Sequence, residues 1–272
     1  MFRAIWVWAV LGMLGGWVAV GCASNTSGGS ATPAAADGGA KPDTGAVTTS
    51  GTGGASKPDC AALPLPSNMD DIIATFEMGT GAVLQVGGRG GGFYMFNDGT
   101  GTQTPPTGML PPAKPTDRCG STYALCMSGK DFTKWGAGMG TDLAPTTGDA
   151  GTGDKQTYDA SMYKGIAFWA KSNTSTGAAL RVSLKDKNTA PEGGQCDAMA
   201  KTGATACNDD WGKGITLTSE WQPYTIKFSD LAQAGWGKAS TAFDDKAVYS
   251  IQYQVSQGID FDLCIDDLVF TH

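Results

Sequence analysis

The sequence predicts an all-β fold, a β-sandwich with jelly-roll strand order, and three observations carry that prediction. Nine short stretches read as strands, most of them with apolar residues at every second position between turn residues: 72–76, 82–86, 93–97, 165–171, 179–185, 214–218, 224–228, 249–255 and 261–270. No amphipathic helix of useful length interrupts them, and only residues 161–163 and 229–233 offer single helical turns. Glycine supplies 40 of the 272 residues, about twice its ordinary share, which suits many turns and long loops. Short strands without alternating helices bury their faces best against one another.

The alternation also sorts the faces. Ile166, Phe168 and Ala170 form one apolar row, and Leu180, Val182 and Leu184 another. Tyr224, Ile226 and Phe228, with Tyr249, Ile251, Tyr253 and Val255, complete the expected core. The opposite rows hold Ala167, Trp169 and Lys171; Arg181, Ser183 and Lys185; and Ser250, Gln252 and Gln254. If these three strands share a sheet, its outer face presents Trp169, Arg181, Gln252 and Gln254, an aromatic ring among side chains able to make paired hydrogen bonds.

The closing strand, Phe261-Asp-Leu-Cys-Ile-Asp-Asp-Leu-Val-Phe270, carries two adjacent carboxylates in an apolar run. Strand alternation turns at most one of Asp266 and Asp267 inward, and a buried carboxylate needs a compensating partner. The second half of the sequence offers the pair no obvious arginine partner, whereas Glu77 lies on the first apolar strand. Oxygen ligands of this kind suit calcium in a structural role. The candidate ligands are Glu77, Asp266 and Asp267, with Asp98 in Asn97-Asp-Gly-Thr-Gly-Thr102 as a further oxygen donor or a plain hairpin-turn residue.

The chain is acidic, with a formal net charge of -7, which argues against nucleic acid and against a polybasic membrane surface. Its N-terminus reads as a targeting segment: Met1-Phe-Arg3, an apolar run from Ala4 to Val20, then Val18-Ala-Val-Gly-Cys22. Small residues before a cysteine resemble the lipobox of bacterial lipoproteins, although Ala19 stands where leucine is commonest. The resemblance implies a signal peptide over residues 1–21, lipid on Cys22 and, with Ala23 following, outer-membrane sorting; otherwise the protein is secreted. Residues 22–58 hold Gly, Ala, Ser, Thr and Pro with few apolar side chains, a flexible tether reaching roughly 30–35 Å. The folded domain then spans residues 60–272 and is expected to be a monomer.

Six further cysteines in an exported chain read as disulfides, with 15 connectivities open. Cys119–Cys126 and Cys196–Cys207 would close short loops, leaving Cys60–Cys264 to tie the domain's start to its last strand. The lack of a CxxC pair and a single, terminal histidine, His272, argue against zinc.

Several segments together resemble a known family: Phe76-Glu77, Tyr158-Asp-Ala-Ser-Met-Tyr-Lys-Gly-Ile-Ala-Phe-Trp-Ala-Lys171, Leu180-Arg-Val-Ser-Leu-Lys-Asp186, Leu217-Thr-Ser-Glu-Trp-Gln-Pro-Tyr-Thr-Ile-Lys-Phe-Ser-Asp-Leu231 and Ile265-Asp-Asp-Leu-Val-Phe270. In this order they are similar to galactose-binding-like jelly rolls, carbohydrate-binding modules of family 11 among them. The resemblance implies calcium at the early Glu and late Asp, and a polysaccharide or glycan as partner. It transfers no sugar-contacting residue.

Ligand contacts are therefore read from residue chemistry. Trp169, Arg181, Gln252 and Gln254 form the expected platform. Trp135 and Trp236, each set among glycines, and Trp211, beside the acidic Cys207-Asn-Asp-Asp210, are rim candidates with packing as the alternative. Gly87-Gly-Arg-Gly-Gly-Gly92 lacks the Lys-Ser/Thr end of a P-loop and reads as a flexible loop beside a binding edge. No Ser-His-Asp set exists. The expected function is non-catalytic polysaccharide binding at the cell surface. The alternatives are glycoside hydrolase-associated, cellulase-like activity and a protein-binding adhesion module.

Overall fold

The computed structural model describes residues 63–144, 155–175 and 177–272. Their strands are β1 (Ile72–Ala74), β2 (Phe93–Asn97), β3 (Thr102–Thr104), β4 (Gly108–Met109), β5 (Lys114–Pro115), β6 (Tyr123–Lys130), β7 (Ala137–Asp142), β8 (Gly165–Ser172), β9 (Ala178–Asp186), β10 (Trp211–Leu217), β11 (Gln222–Lys227), β12 (Val248–Val255) and β13 (Phe261–Thr271). They form two antiparallel sheets. One runs β11-β8-β13-β6-β3, with β1 added on β13 and β5 on β6; the other runs β10-β9-β12-β7-β2-β4. The β-sandwich expected from the alternation is the fold.

The core lies between the sheets, and the expected rows supply it. Ile166, Phe168 and Ala170 of β8 face Leu180, Val182 and Leu184 of β9 and Ile251, Tyr253 and Val255 of β12 in one buried cluster. Phe168 meets Tyr253 edge-on with ring centroids 5.1 Å apart, a favoured aromatic geometry.

Four expectations are corrected. Residues 82–86 form no strand: Val86 N–H turns back to the Leu84 carbonyl, and only Ala82 bridges, to Gly92. Five unexpected strands appear, the short β3, β4 and β5 and the longer β6 and glycine-bearing β7. The three strands whose outer rows were expected to form one platform also divide between sheets, because β8 pairs with β11 and β13 rather than with β9 or β12. Finally, Arg89 does not sit in a flexible edge loop. It is buried, donating to the Asp70 and Ile72 carbonyls (2.6 and 2.7 Å) and to the Tyr158 hydroxyl (3.1 Å), and so clamps the chain ahead of β1.

The disulfides follow strand register. Cys126 and Cys264 lie directly opposite each other on β6 and β13 and are bonded, so neither Cys119–Cys126 nor Cys60–Cys264 forms. Cys119 is disulfide-bonded elsewhere. Cys196–Cys207 forms as expected. Cys22 and Cys60 lie outside the described residues, as do the signal peptide and the tether.

The aspartate pair also departs from simple alternation. A bulge interrupts the β13–β8 register between Asp266 and Val269, and Asp267 adopts φ 45°. An extra residue in a strand resets which side chains share a face. Both carboxylates are consequently buried.

Candidate functional site

The open face of the six-stranded sheet carries a groove of about 700 Å³. Its floor follows from register. Tyr94 of β2 lies opposite Gly140 of β7, which lies opposite Gln252 of β12, which lies opposite Ser183 of β9. The next row along the strands is Phe96, Gly138, Gln254 and Arg181. Side chains two apart on a strand share a face, so these rows stand side by side.

The glycines of β7 let the aromatic rings lie down. A Cβ at Gly138 would stand 2.5 Å from the Phe96 ring and 2.5 Å from the Tyr253 carbonyl oxygen; one at Gly140 would stand 2.9 Å from Gln252 Cγ and 3.0 Å from the Tyr94 hydroxyl. Any side chain there would lift the rings or fill the groove. The result is a continuous aromatic strip: Tyr94 to Phe96 at 5.9 Å, and Phe96 stacked on Trp135 at 6.0 Å and 29°.

The amides run beside the strip. Gln252 Nε2 donates to the Tyr94 hydroxyl at 2.9 Å, and Gln254 Nε2 donates to the Trp135 carbonyl at 3.0 Å. Each glutamine thereby fixes its side chain while retaining a carbonyl oxygen for hydroxyl donors. Burial, then the charge of Asp142, raises the Tyr94 phenol pKa, keeping it a neutral hydroxyl.

One end of the groove is ionic. Lys155 Nζ lies 3.2 Å from Asp142 Oδ1 and 3.5 Å from Glu192 Oε1, with the Tyr94 ring centroid 5.5 Å away. Lys185 donates to Asn208 Oδ1 at 2.8 Å and lies 3.6 Å from Asp210 Oδ2. Burial raises the pKa of both Asp142 and Asp210. The wall above is the loop between β9 and β10, from which Ala198, Ala200, Lys201, Thr202 and Cys207 border the groove.

Trp135 and Trp236 both border it as well and are 44% and 42% exposed. Their loops are pinned in the same way. Asp98 Oδ2 accepts from the amides of Lys134, Trp135 and Gly136 at 2.9–3.0 Å, while Oδ1 accepts from the Thr100 amide and hydroxyl. Asp209 accepts from the amides of Ala234, Gly235 and Gly237 at 2.8–3.1 Å. Each carboxylate gathers the backbone on both sides of an exposed ring.

The hydrogen bonds to Thr100, Gly136 and Trp135 outweigh desolvation and hold the Asp98 carboxyl well below its usual 3.8. A depressed carboxylate stabilises the loop above its ordinary pKa, and the contribution is lost only as pH falls through the folded value. Asp98→Ala is therefore expected to weaken ligand binding about tenfold with little change in thermal unfolding. The wild-type Trp135 fluorescence environment should hold from neutral pH down to pH 3.8.

The other expected contacts are placed elsewhere. Trp169 is 2% exposed on the opposite sheet, packed with Trp221 and the Cys126–Cys264 bridge. It is no part of the groove, because its strand crosses to the other layer. Trp211 packs against the main core instead of standing at the rim. Arg181 reaches the end of the groove, but its Nη2 is spent on the carbonyls of Asp210 and Ala232 at 3.0 and 2.8 Å. Tyr94, Phe96 and Lys155 were missed. The signal for the first two was present, since Phe93 and Met95 are core and the alternate positions Tyr94 and Phe96 must face outward.

The calcium ligands form no comparable cradle. Asp266 Oδ1 accepts from the Asp267 amide and Oδ2 from Arg118 Nε at 2.6 Å; Asp267 Oδ2 accepts from Arg118 Nη2. Glu77 Oε1 accepts from the Ser121 hydroxyl and Thr122 amide, and Oε2 from the Thr122 amide. Calcium takes six to eight oxygens, and of these six carboxylate oxygens five already accept. The set does not fit the ion. Asp98 is committed to the Trp135 loop.

Residues 147–272 match the family model of carbohydrate binding domain 30. A search of curated protein sequences finds no match. Among solved structures, the chain is similar to a family 11 carbohydrate-binding module from Clostridium thermocellum in complex with a beta-1,3-1,4-mixed-linked tetrasaccharide, at 16% identity and TM-score 0.40, covering 71% of this chain and 95% of that one. It is also similar to a family 30 carbohydrate-binding module at 15% identity and TM-score 0.40, covering 74% and 84%. A third is the N-terminal cellulose-binding domain of Cellulomonas fimi beta-1,4-glucanase C, at 18% identity and TM-score 0.32, covering 66% and 87%. The chain is a two-sheet antiparallel β-sandwich whose residues 147–272 match the family model of carbohydrate binding domain 30.

Proposed function

We propose that the protein binds a polysaccharide chain non-catalytically in the groove on the six-stranded sheet. The aromatic strip Tyr94–Phe96–Trp135, flanked by Gln252 and Gln254, is the observation that carries this reading. A pyranose ring offers an apolar face of C–H groups to an aromatic ring and hydroxyls around its edge to amides. A floor of rings bordered by amides meets both needs at once. The family match over residues 147–272 supports the same reading.

The groove's carboxylates argue for binding rather than hydrolysis. Asp142 lies opposite Ser250, and Ser250 opposite Lys185, beside which Asp210 enters β10. That sets the two aspartates three strand spacings apart along the sheet, about 14 Å, while the nearer pair, Asp142 and Glu192, shares one ammonium, Lys155 Nζ, at 3.2 and 3.5 Å. Both aspartates are also engaged by lysines.

We place the protein at the cell surface, anchored through lipid on Cys22 with residues 22–58 as a spacer; export is supported by the disulfides. Titration calorimetry of the full chain with soluble mixed-linked β-glucan, xylan and galactan tests the binding reading. Saturable binding to at least one is expected. Heat-silent titrations with all three, or release of reducing ends from any, would overturn it.

A further inference from the structure

We infer that Arg118 supplies, as part of the chain, the positive charge for which the closing strand would otherwise need a divalent cation, so that the domain folds without calcium. This rests on geometry independent of the groove. One guanidinium meets two neighbouring carboxylates, Nε on Asp266 Oδ2 at 2.6 Å and Nη2 on Asp267 Oδ2, while Nη1 donates to the Cys119 carbonyl at 3.2 Å. All three side chains are at most 8% exposed. A planar fork of donors suits this task better than a lysine point charge.

The guanidinium is held in place from both sides. Asp117, just before it, accepts from Lys171 Nζ at 2.8 Å and from Trp221 Nε1 at 2.9 Å, and Cys119, just after it, is disulfide-bonded. The Trp169 ring lies beneath, its centroid 5.6 Å from Arg118 Cζ. Asp117 and Arg118 thus tie one segment to the face of the seven-stranded sheet. The strand bulge at Asp266–Val269 turns both aspartates toward that segment. The arrangement accounts for Trp169 as well: it forms a wall of the arginine site.

In the second half of the chain Arg181 reaches the Asp210 and Ala232 carbonyls rather than this aspartate pair. Arg118 lies 148 residues before Asp266 in the sequence, beyond the reach of local pattern reading.

The test is thermal unfolding of the full chain, dialysed against EDTA and compared with and without millimolar calcium. The wild-type unfolding temperature is expected to agree between the two to within about 1 °C. Arg118→Ala in chelator should lower it by about 10 °C, since two buried carboxylates lose their counter-charge, and calcium should then recover part of the loss. A wild-type chain that gains several degrees with calcium, or that retains stoichiometric calcium through dialysis, would overturn the inference. So would an Arg118→Ala chain whose stability is indifferent to calcium. If Arg118→Ala fails to fold, the wild-type comparison decides alone.

Discussion

Removing the two outer rings of the strip, Phe96→Ala with Trp135→Ala, is expected to lower glycan affinity at least 100-fold, equivalent to about 2.7 kcal/mol. Trp135 alone should account for about tenfold. The double variant exceeds the single because Phe96 and Trp135 stack on each other while both line the groove. Deleting one lets the other relax, and deleting both removes the floor and the rim together. The folded state should survive, since Trp135 lies at the surface and Phe96 packs over a strand of glycines rather than in the core. The control is Trp169→Phe. Trp169 is buried on the opposite sheet, so this change should move the unfolding temperature and leave affinity alone. Calorimetric titration with the polysaccharide that binds best, alongside thermal unfolding, separates the two effects. Equal affinity of the double variant and wild type would remove the strip from the site.

The contrast between Trp169 and Trp135 shows which parts of the molecule are legible in sequence. Period-two alternation assigns inward and outward faces one strand at a time, and it did so correctly for β8, β9 and β11 and for β12 from Ile251 onward, whereas a register shift at Val248–Ser250 puts Val248 rather than Tyr249 in the core. It says nothing about which strands become neighbours, and a platform exists only across neighbours. Gln252 and Gln254 were found because their strand lies at the middle of the groove sheet. Trp169 was misplaced because an equally good alternation on β8 belongs to the other layer. The central floor strand β7 was invisible for a related reason. Its groove-facing positions are Gly138 and Gly140, and its inner positions include Ala137 and Met139, so neither β-propensity nor strong amphipathicity marks it. The glycines that hid the strand are what make the floor flat.

Long-range partnerships were hidden in the same way. The Asp266–Asp267 pair advertises a need for positive charge, but no local rule points to Arg118. Asp98 was legible as a turn residue; its role in gathering the Trp135 loop depends on amides 36–38 residues further along.

The two described disulfides should separate stability from binding. Cys126→Ala with Cys264→Ala opens a bridge spanning 138 residues, for which chain entropy alone predicts a loss of about 5 kcal/mol, the reduced state being freed from a long closed loop. The bridge is also buried against Trp169 and Trp221, so two small cavities add to the cost. In a domain of this size that corresponds to a drop of roughly 10–20 °C in unfolding temperature. Groove affinity measured well below that temperature should be unchanged, because β6 and β13 both lie in the other sheet. Cys196→Ala with Cys207→Ala frees a span of only 11 residues, for which the same reasoning gives about 3 kcal/mol or less. That loop, however, supplies the wall residues Ala198 to Thr202 and Cys207 itself. Its release should weaken glycan binding several-fold while shifting the unfolding temperature less than the first pair does. If the 126–264 variant lost affinity in proportion to stability, the groove would not be the independent, rigidly floored site its register describes.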